Sequence, residues 1–137
     1  MSFDSFRRKF VTLTPEEWVR QHYLHYLTEE KHYPSALMAV EQKILVNGLT
    51  KRCDAVLYDS EMNPVAIIEF KAPTVAIGQE TFDQAAVYNT TLKIQFFLVS
   101  NGIDHFFAKV DPVKKTYHIG KEIPDYEILQ EKIKKSR

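Results

Sequence analysis

The chain has 137 residues, and its 18 basic and 18 acidic side chains cancel to a formal net charge of zero. Hydrophobic residues make up 45% of the sequence and charged residues 26%, which is ordinary for a soluble globular protein. We therefore expect one domain over residues 1–137 with a substantial core. We do not expect a protein that coats polyanions through its overall charge.

The cysteine content and the hydropathy pattern indicate a cytoplasmic protein. Cys53 is the only cysteine, so an intramolecular disulfide is excluded and a reducing compartment is expected. No apolar run approaches the length of a membrane span, and residues 1–10 lack the apolar core of a signal peptide. We expect no membrane partner.

A first helix is predicted to begin after Thr14 and to continue to about Lys31. Thr14 is suited to cap the helix, and Glu17 stands three residues later, as in a capping box. Glu16 or Glu17 could instead project towards a metal site, but capping accounts for Glu17 without catalysis and is favoured. Much of the buried face is expected to come from Trp18, Val19, Tyr23, Tyr26 and Leu27.

Three strands are predicted next, over residues 37–46, 52–58 and 65–71. Asn47-Gly48 is a hairpin signal between the first two, and a polar turn at 59–64 joins the second to the third. The third strand is almost continuously apolar, which is typical of a buried central strand. The chain is therefore expected to form a meander.

The candidate active-site residues are Asp54, Glu69 and Lys71. Glu69 and Lys71 are two residues apart on a strand and share a face, while Phe70 points to the other layer. If the two strands pair as a hairpin, Asp54 lies beside them at one edge of the sheet. Two carboxylates with a backbone carbonyl and waters suit a hard cation such as magnesium. The lysine could then position or help activate a metal-bound water, as a phosphodiester hydrolase requires.

A simpler interpretation of the same charges stays open. Charged residues at strand ends often form a solvated cross-strand ion pair that contributes little. The D…ExK pattern is also short and matches many unrelated sequences. Glu41, in the first strand, could be a further acidic ligand, although an outward-facing position is favoured for it.

A second helix is predicted over about 78–91. Gln84 and Tyr88 are four residues apart and so share one face of this helix. They either form a hydrogen-bonded pair or reach the acidic edge, where Gln84 could support the lysine or a phosphate.

The remaining chain predicts three strands and a final helix. The first of these strands, 94–100, is expected to pair parallel to the strand of Glu69, because a helix connects the two. The other elements are strands over 103–110 and 115–119 and an amphipathic helix that begins at Pro124.

The order of these elements resembles that of the PD-(D/E)xK nuclease superfamily. More closely, TPEEWVRQHYLHYL, KRCDAVLYD, IIEFKAP and TFDQAAVYN, in that order, resemble the N-terminal nuclease domain of type I restriction enzyme R (HsdR-like) subunits. The resemblance covers about residues 14–110. It implies an α/β fold that is restriction-endonuclease-like, with a mixed central β-sheet flanked by α-helices.

The resemblance also implies roles for the residues at matching positions. Asp54 and Glu69 would bind Mg²⁺ together with the Phe70 carbonyl, and Mn²⁺ is expected to substitute for it. Lys71 would serve the attacking water. Cys53 stands where the name of the motif has proline, a position that varies in the superfamily.

Further positions match accessory residues of the family. Gln84 and Tyr88 correspond to its QxxxY motif. Glu17 or Glu16 corresponds to a glutamate of the first helix. The resemblance thus extends from the D…ExK residues to both predicted helices.

The implied function is that of a metal-dependent endonuclease that hydrolyses DNA phosphodiester bonds. DNA is the expected partner, with other restriction-modification subunits or a second copy of the chain as further candidates. The sequence has no GxxxxGK[ST] loop, so we do not expect ATP-driven translocation as its own activity. One alternative is a non-catalytic nucleic-acid-binding or complex-forming module that retains the fold. Another is a small-molecule hydrolase, which would need an enclosed pocket.

Overall fold

The computed structural model describes residues 2–4, 9–11, 13–46, 48–111, 113–120 and 122–135. Within these ranges the chain forms three α-helices and eight β-strands. The helices are α1 (Pro15–Glu29), α2 (Gln79–Leu92) and α3 (Tyr126–Lys135). The strands are β1 (Ser2–Asp4), β2 (Lys9–Val11), β3 (Met38–Val46), β4 (Leu49–Tyr58), β5 (Pro64–Phe70), β6 (Phe96–Ser100), β7 (His105–Asp111) and β8 (Thr116–Ile119).

The main sheet contains six strands in the order β3-β4-β5-β6-β7-β8, and β1 and β2 form a separate antiparallel pair. Every neighbouring pair in the main sheet is antiparallel except β5 and β6, which are parallel and are connected through α2. In that parallel pair Phe70 lies opposite Ser100. The predicted meander, the parallel pairing and the α/β class with a mixed sheet are confirmed.

Both faces of the sheet are covered, which explains why β5 is apolar at nearly every position. Ile68 and Phe70 face the layer that contains α1 and α3, where Leu24 is fully buried. Ile67 faces the opposite layer, where Phe82 of α2 is buried. Burying a side chain of this size contributes about 1.5–3 kcal/mol relative to exposure. The central strand is therefore held from both sides up to the residue before Lys71.

The first helix begins as predicted, because the Thr14 hydroxyl accepts the backbone N–H of Glu17 at 3.1 Å. Its buried face differs from the prediction. Trp18 is 43% exposed, whereas Arg20 and Leu24 are buried. The helix presents its Val19–Tyr23–Leu27 side to the core, so Trp18 lies on the flank.

Gly48 has a φ of +79°, as a tight turn requires, while Asn47 of the predicted hairpin signal lies outside the described residues. No helix in the described ranges combines the length and the apolar character that crossing a membrane would need.

Candidate active site

Asp54 and Glu69 occupy adjacent strands at the point where the two strands separate. The β4–β5 pairing ends at Ala55 and Ile68, so these two acidic residues come next on their strands. Asp54 Oδ2 accepts the backbone N–H of Phe70 at 2.8 Å. A side-chain oxygen has therefore taken the place of a backbone partner, and it ties the Asp54 carboxylate to the Glu69–Phe70 peptide.

Glu69 and Lys71 lie at the end of the central strand. Glu69 is half-buried, and strand alternation places it on the same face as Ile67, towards α2. Lys71 is half-buried and follows the last residue of β5. Its backbone N–H donates to the Ser100 carbonyl at 2.9 Å, which extends the β5–β6 pairing by one residue. The position of the lysine is thus fixed by the neighbouring parallel strand.

Arg20 is a charged residue of this edge that the sequence analysis missed. The residue is only 6% exposed, and its guanidinium lies among three carboxylates. Nη2 is 3.8 Å from Asp54 Oδ1, Nη1 is 3.8 Å from Glu41 Oε1, and Nε is 3.5 Å from Glu17 Oε1. These distances exceed those of good hydrogen bonds, and Nε and Nη1 have no hydrogen-bond partner in the described part of the chain. The contacts are therefore ionic.

Glu41 was expected to face outwards, but the structure brings it to the same cation. Its neighbours on β3 pair with the neighbours of Asp54 on β4, so the two acidic residues stand at one level. Glu41 also contacts Arg52, with Nη2 3.6 Å from Oε1. Its φ of +54° is a left-handed conformation that costs a residue with a Cβ about 1–2 kcal/mol. Such strain inside a strand is typical of functional sites.

Glu17 combines two roles. Its backbone N–H is capped by Thr14, as the capping interpretation required. Its carboxylate lies against Arg20 and therefore contacts the acidic edge through a cation. Glu16 is exposed. Among the described residues, no group of three or more His, Cys, Asp or Glu side chains converges as a metal-binding cluster would.

Gln84 and Tyr88 lie on one flank of α2. Gln84 is exposed, and its amide donates within the helix to Glu80 Oε1 at 3.5 Å, while Tyr88 is half-buried. A cavity of about 610 Å³ lies between the opposite flank and β8, where Asp83 Oδ1 accepts a hydrogen bond from the Tyr117 hydroxyl at 3.0 Å. Asp54, Glu69 and Lys71 do not line this cavity. This cavity therefore offers no support for a small-molecule hydrolase that uses the acidic edge.

Comparisons with known proteins agree with this architecture. The family model described as type I restriction enzyme R protein N terminus (HSDR_N) matches residues 15–124. No curated protein sequence matches the chain. Among solved structures, the chain is similar to a fragment assigned to the HsdR subunit of a type I restriction enzyme from Vibrio vulnificus YJ016. The TM-score is 0.59 at 19% identity, over 90% of this chain and 26% of that chain, so the likeness shows the fold.

Proposed function

This chain belongs to the family of type I restriction enzyme R protein N termini, and we propose that it is a metal-dependent endonuclease that hydrolyses DNA phosphodiester bonds. The observation that carries the proposal is the hydrogen bond from the Phe70 N–H to Asp54 Oδ2. It holds the Asp54 carboxylate at the Glu69–Phe70 peptide, which carries the second carboxylate and directly precedes Lys71. A solvated ion pair between strand ends would have no need of that bond.

The chemistry of the donor set fits Mg²⁺. Asp54 and Glu69 would hold it together with the carbonyl of Phe70, and oxygen atoms are the ligands that this ion prefers. The bond from Phe70 uses one lone pair of Asp54, and an ionised carboxylate has about four. When bound, Mg²⁺ would neutralise charge that develops on the phosphoryl oxygens and would make the attacking water more acidic. Mn²⁺ is expected to substitute.

The side chains of the chain itself would then position the reactants. The Lys71 ammonium would donate a hydrogen bond to the attacking water and aim its lone pair at phosphorus. Attack forms one phosphorus–oxygen bond and breaks another, and the products are a sugar hydroxyl and a terminal phosphate. Arg20 touches Asp54 rather than open solvent, so we assign it the role of a positioning residue.

DNA is the proposed substrate, and other restriction-modification subunits or a second copy of the chain are the proposed protein partners. The chain spans about a quarter of the length of the HsdR fragment that it resembles. The motor and target-selecting activities of a whole restriction enzyme therefore form no part of the proposal.

A cleavage assay with matched variants tests the nuclease. Supercoiled plasmid and single-stranded DNA would be incubated with Mg²⁺ or Mn²⁺. Lys71→Ala and Glu69→Gln should each lower the rate by a factor of about 100 or more. Lys114→Ala and Glu122→Gln remove the same groups from exposed positions and should leave the rate unchanged. Cutting that persists in Lys71→Ala would contradict the assignment.

A non-catalytic binding module is the second candidate, and Arg20 is the observation that favours it. A buried guanidinium beside Asp54 already compensates the charge of that carboxylate without any metal. The two candidates differ in metal binding. A nuclease should show Mg²⁺-dependent thermal stabilisation that Glu69→Gln abolishes and Glu122→Gln retains, whereas a binding module should show the same melting curve with and without Mg²⁺.

A further inference from the structure

The flank of α1 away from Arg20 carries a ridge of partly exposed aromatic residues. Trp18, His22 and Tyr26 are spaced four residues apart, so they lie above one another along the helix. The Trp18 and His22 rings are 4.4 Å apart between centroids. Trp18 is 43% exposed although a tryptophan normally buries most of its surface. The core does not account for this ridge.

The turn between β6 and β7 forms the opposite wall of a cavity of about 210 Å³. We call this cavity the aromatic pocket and define it by Trp18, His22, Tyr23, Tyr26, Ser100 and His105. The His105 ring lies nearly parallel to Tyr23 and Tyr26, with centroids 5.3 and 6.0 Å away and ring planes 18° and 15° apart. Rings from two elements thus form a continuous stack.

The turn is held by hydrogen bonds between its own residues, and it lies close to the helix at Gly102. Asn101 Oδ1 accepts the N–H groups of Ile103 and Asp104, and Ser100 Oγ lies 2.6 Å from His105 Nδ1. Gly102 has a φ of +88°, and a Cβ placed there would meet Trp18 Cζ3 at 3.2 Å. The walls are therefore formed in the folded chain and need no rearrangement to receive a planar ring.

The pocket adjoins the proposed catalytic edge. The carbonyl of Ser100, at the base of the pocket, accepts the N–H of Lys71 at 2.9 Å. Tyr23 packs edge-on against Phe70 with 5.8 Å between ring centroids. Adjacent strands are about 4.8 Å apart, so the Ser100 backbone beneath the pocket is one strand spacing from the backbone of Phe70. The pocket lies on the α1 face of the sheet, whereas Glu69 points to the α2 face, so a bound strand would pass over the end of β5 between the two.

We propose that the aromatic pocket binds an unpaired nucleobase next to the phosphate to be cleaved. None of the described residues that line it is Asp, Glu, Lys or Arg, so its chemistry suits an uncharged, planar, aromatic group. Stacked rings provide the faces on which bases bind. His105 Nδ1 already contacts the buried Ser100 Oγ, so Nε2 of the same ring is the polar atom offered at the side. A base inside a duplex cannot reach such a pocket without leaving the helical stack.

The proposal rests on the proposed function and specifies its substrate. DNA with an unpaired nucleotide at the cleavage point, such as a single strand or a flap, should be cut faster than intact duplex. The stacking of one base on aromatic side chains is worth about 1–3 kcal/mol by alanine substitution, which corresponds to about 5- to 150-fold in affinity. The loss of affinity that follows from removing one pocket residue should therefore be large enough to measure.

Trp18 is the only tryptophan of the chain, so its fluorescence reports directly on the pocket. The Lys71→Ala protein would be titrated with single-stranded oligothymidylate, with duplex DNA and with an oligomer of abasic sites that has the same backbone. We expect the single strand to quench Trp18, and the abasic oligomer and the duplex to have little effect. Fluorescence anisotropy of labelled oligomers would measure total binding in parallel.

Variants link the signal to the pocket. His22→Ala removes an exposed ring and should weaken single-strand binding by about fivefold or more, while duplex binding stays unchanged. Trp18→Ala should also weaken single-strand binding in the anisotropy assay. If loss of the Trp18–Gly102 contact unfolds that variant, His22→Ala still tests the pocket. Val113→Ala changes an exposed hydrophobic residue in the β7–β8 turn and should alter neither single-strand binding nor duplex binding.

Several results would overturn the proposal. One is single-strand binding without a change in Trp18, and another is equal quenching by the abasic oligomer. A response of Trp18 only to an added restriction-modification subunit would assign the surface to a protein partner. Loss of cleavage in Lys71→Ala with no effect of His22→Ala on flap cutting would reject the pocket and leave the nuclease standing. Base-dependent quenching of Trp18, together with no DNA cleavage by the wild-type protein, would reject the nuclease and leave base binding by the pocket standing.

Discussion

Arg20 Nη2 lies 3.8 Å from Asp54 Oδ1, while the other oxygen of that carboxylate accepts the Phe70 N–H at 2.8 Å. The guanidinium carbon is also 5.6 Å from the centroid of the Phe70 ring. Asp54 is therefore held by the helix on one side and by the central strand on the other. The first helix is attached to β4 and β5, at the point where the two strands separate, by charge as well as by apolar packing.

Replacing Arg20 by methionine should destabilise the protein strongly. The substitution leaves Glu17, Glu41 and Asp54 without their shared cation, and loss of one partner of a buried ionic group costs about 3–5 kcal/mol. Because these carboxylates are partly solvated, we expect about 3 kcal/mol by urea denaturation. Mg²⁺ should raise the melting temperature of Arg20→Met more than that of the wild type.

Arg52→Met is the matched control for that measurement. Arg52 contacts Glu41 from a side chain that is 67% exposed, so its loss should cost less than about 1 kcal/mol. Equal losses of stability in the two variants would show that the burial of Arg20 has no energetic importance.

Glu41 allows the backbone strain to be separated from the charge. Glu41→Gly and Glu41→Ala both remove the carboxylate, but only alanine keeps a Cβ in the left-handed conformation at φ +54°. We expect the glycine variant to be more stable than the alanine variant by about 1 kcal/mol, the reverse of the usual order in strands. Urea denaturation of both proteins measures the difference, and an alanine variant that equals or exceeds the glycine variant would exclude strain at this position.

The strands and helices were predictable because their signals are local. The apolar run of β5 reflects burial on both faces, and Thr14 begins a helix through a hydrogen bond within one turn. Asp54 could be expected beside Glu69 because a short polar turn connects their strands. These features depend on residues close to one another along the chain.

Arg20, Glu41 and Trp18 could not be assigned from local patterns. An arginine on a helix is normally predicted to be exposed. Arg20 is buried because the fold brings acidic side chains from other elements to it, which no local pattern shows. The left-handed φ of Glu41 has no signal in the alternation of β3. Trp18 belongs to a second aromatic ridge beside the true core ridge, so apolar spacing alone could not choose between the two.

Gln84 is expected to support the reaction without being essential to it. Gln84→Ala should lower the cleavage rate by about tenfold, as for other residues that orient a site from outside the ligand set. Gln79→Ala changes the same residue type in the same helix, on the flank that faces β8, and should have no effect. If the two variants cut DNA at equal rates, Gln84 has no accessory role.

Gly102 should be sensitive to the addition of a single methyl group. Gly102→Ala combines a φ of +88° with contacts of 3.1 Å to Val19 Cγ2 and 3.2 Å to Trp18, so it should cost more than about 1 kcal/mol. Gly78→Ala meets no atom within 4 Å, and the loss of glycine from the N-cap of α2 should cost less than about 1 kcal/mol. Thermal unfolding of both variants tests the close approach of the turn to α1. A neutral Gly102→Ala would contradict it.

His105 should make stability depend on pH. Burial lowers the pKa of His105 below its ordinary value of 6.5, and the nearby Asp104 opposes this less strongly. Between that lowered pKa and 6.5 the unfolded chain binds more protons than the folded chain. The free energy of unfolding therefore rises with pH across this window and falls as the pH is lowered through it. Urea midpoints from about pH 5 to pH 8 would be compared with those of His105→Gln, which cannot titrate there. We expect the advantage of the wild type over this variant to shrink below 6.5 and to be constant above it. An advantage that grows as the pH falls would mean that the pKa is raised instead.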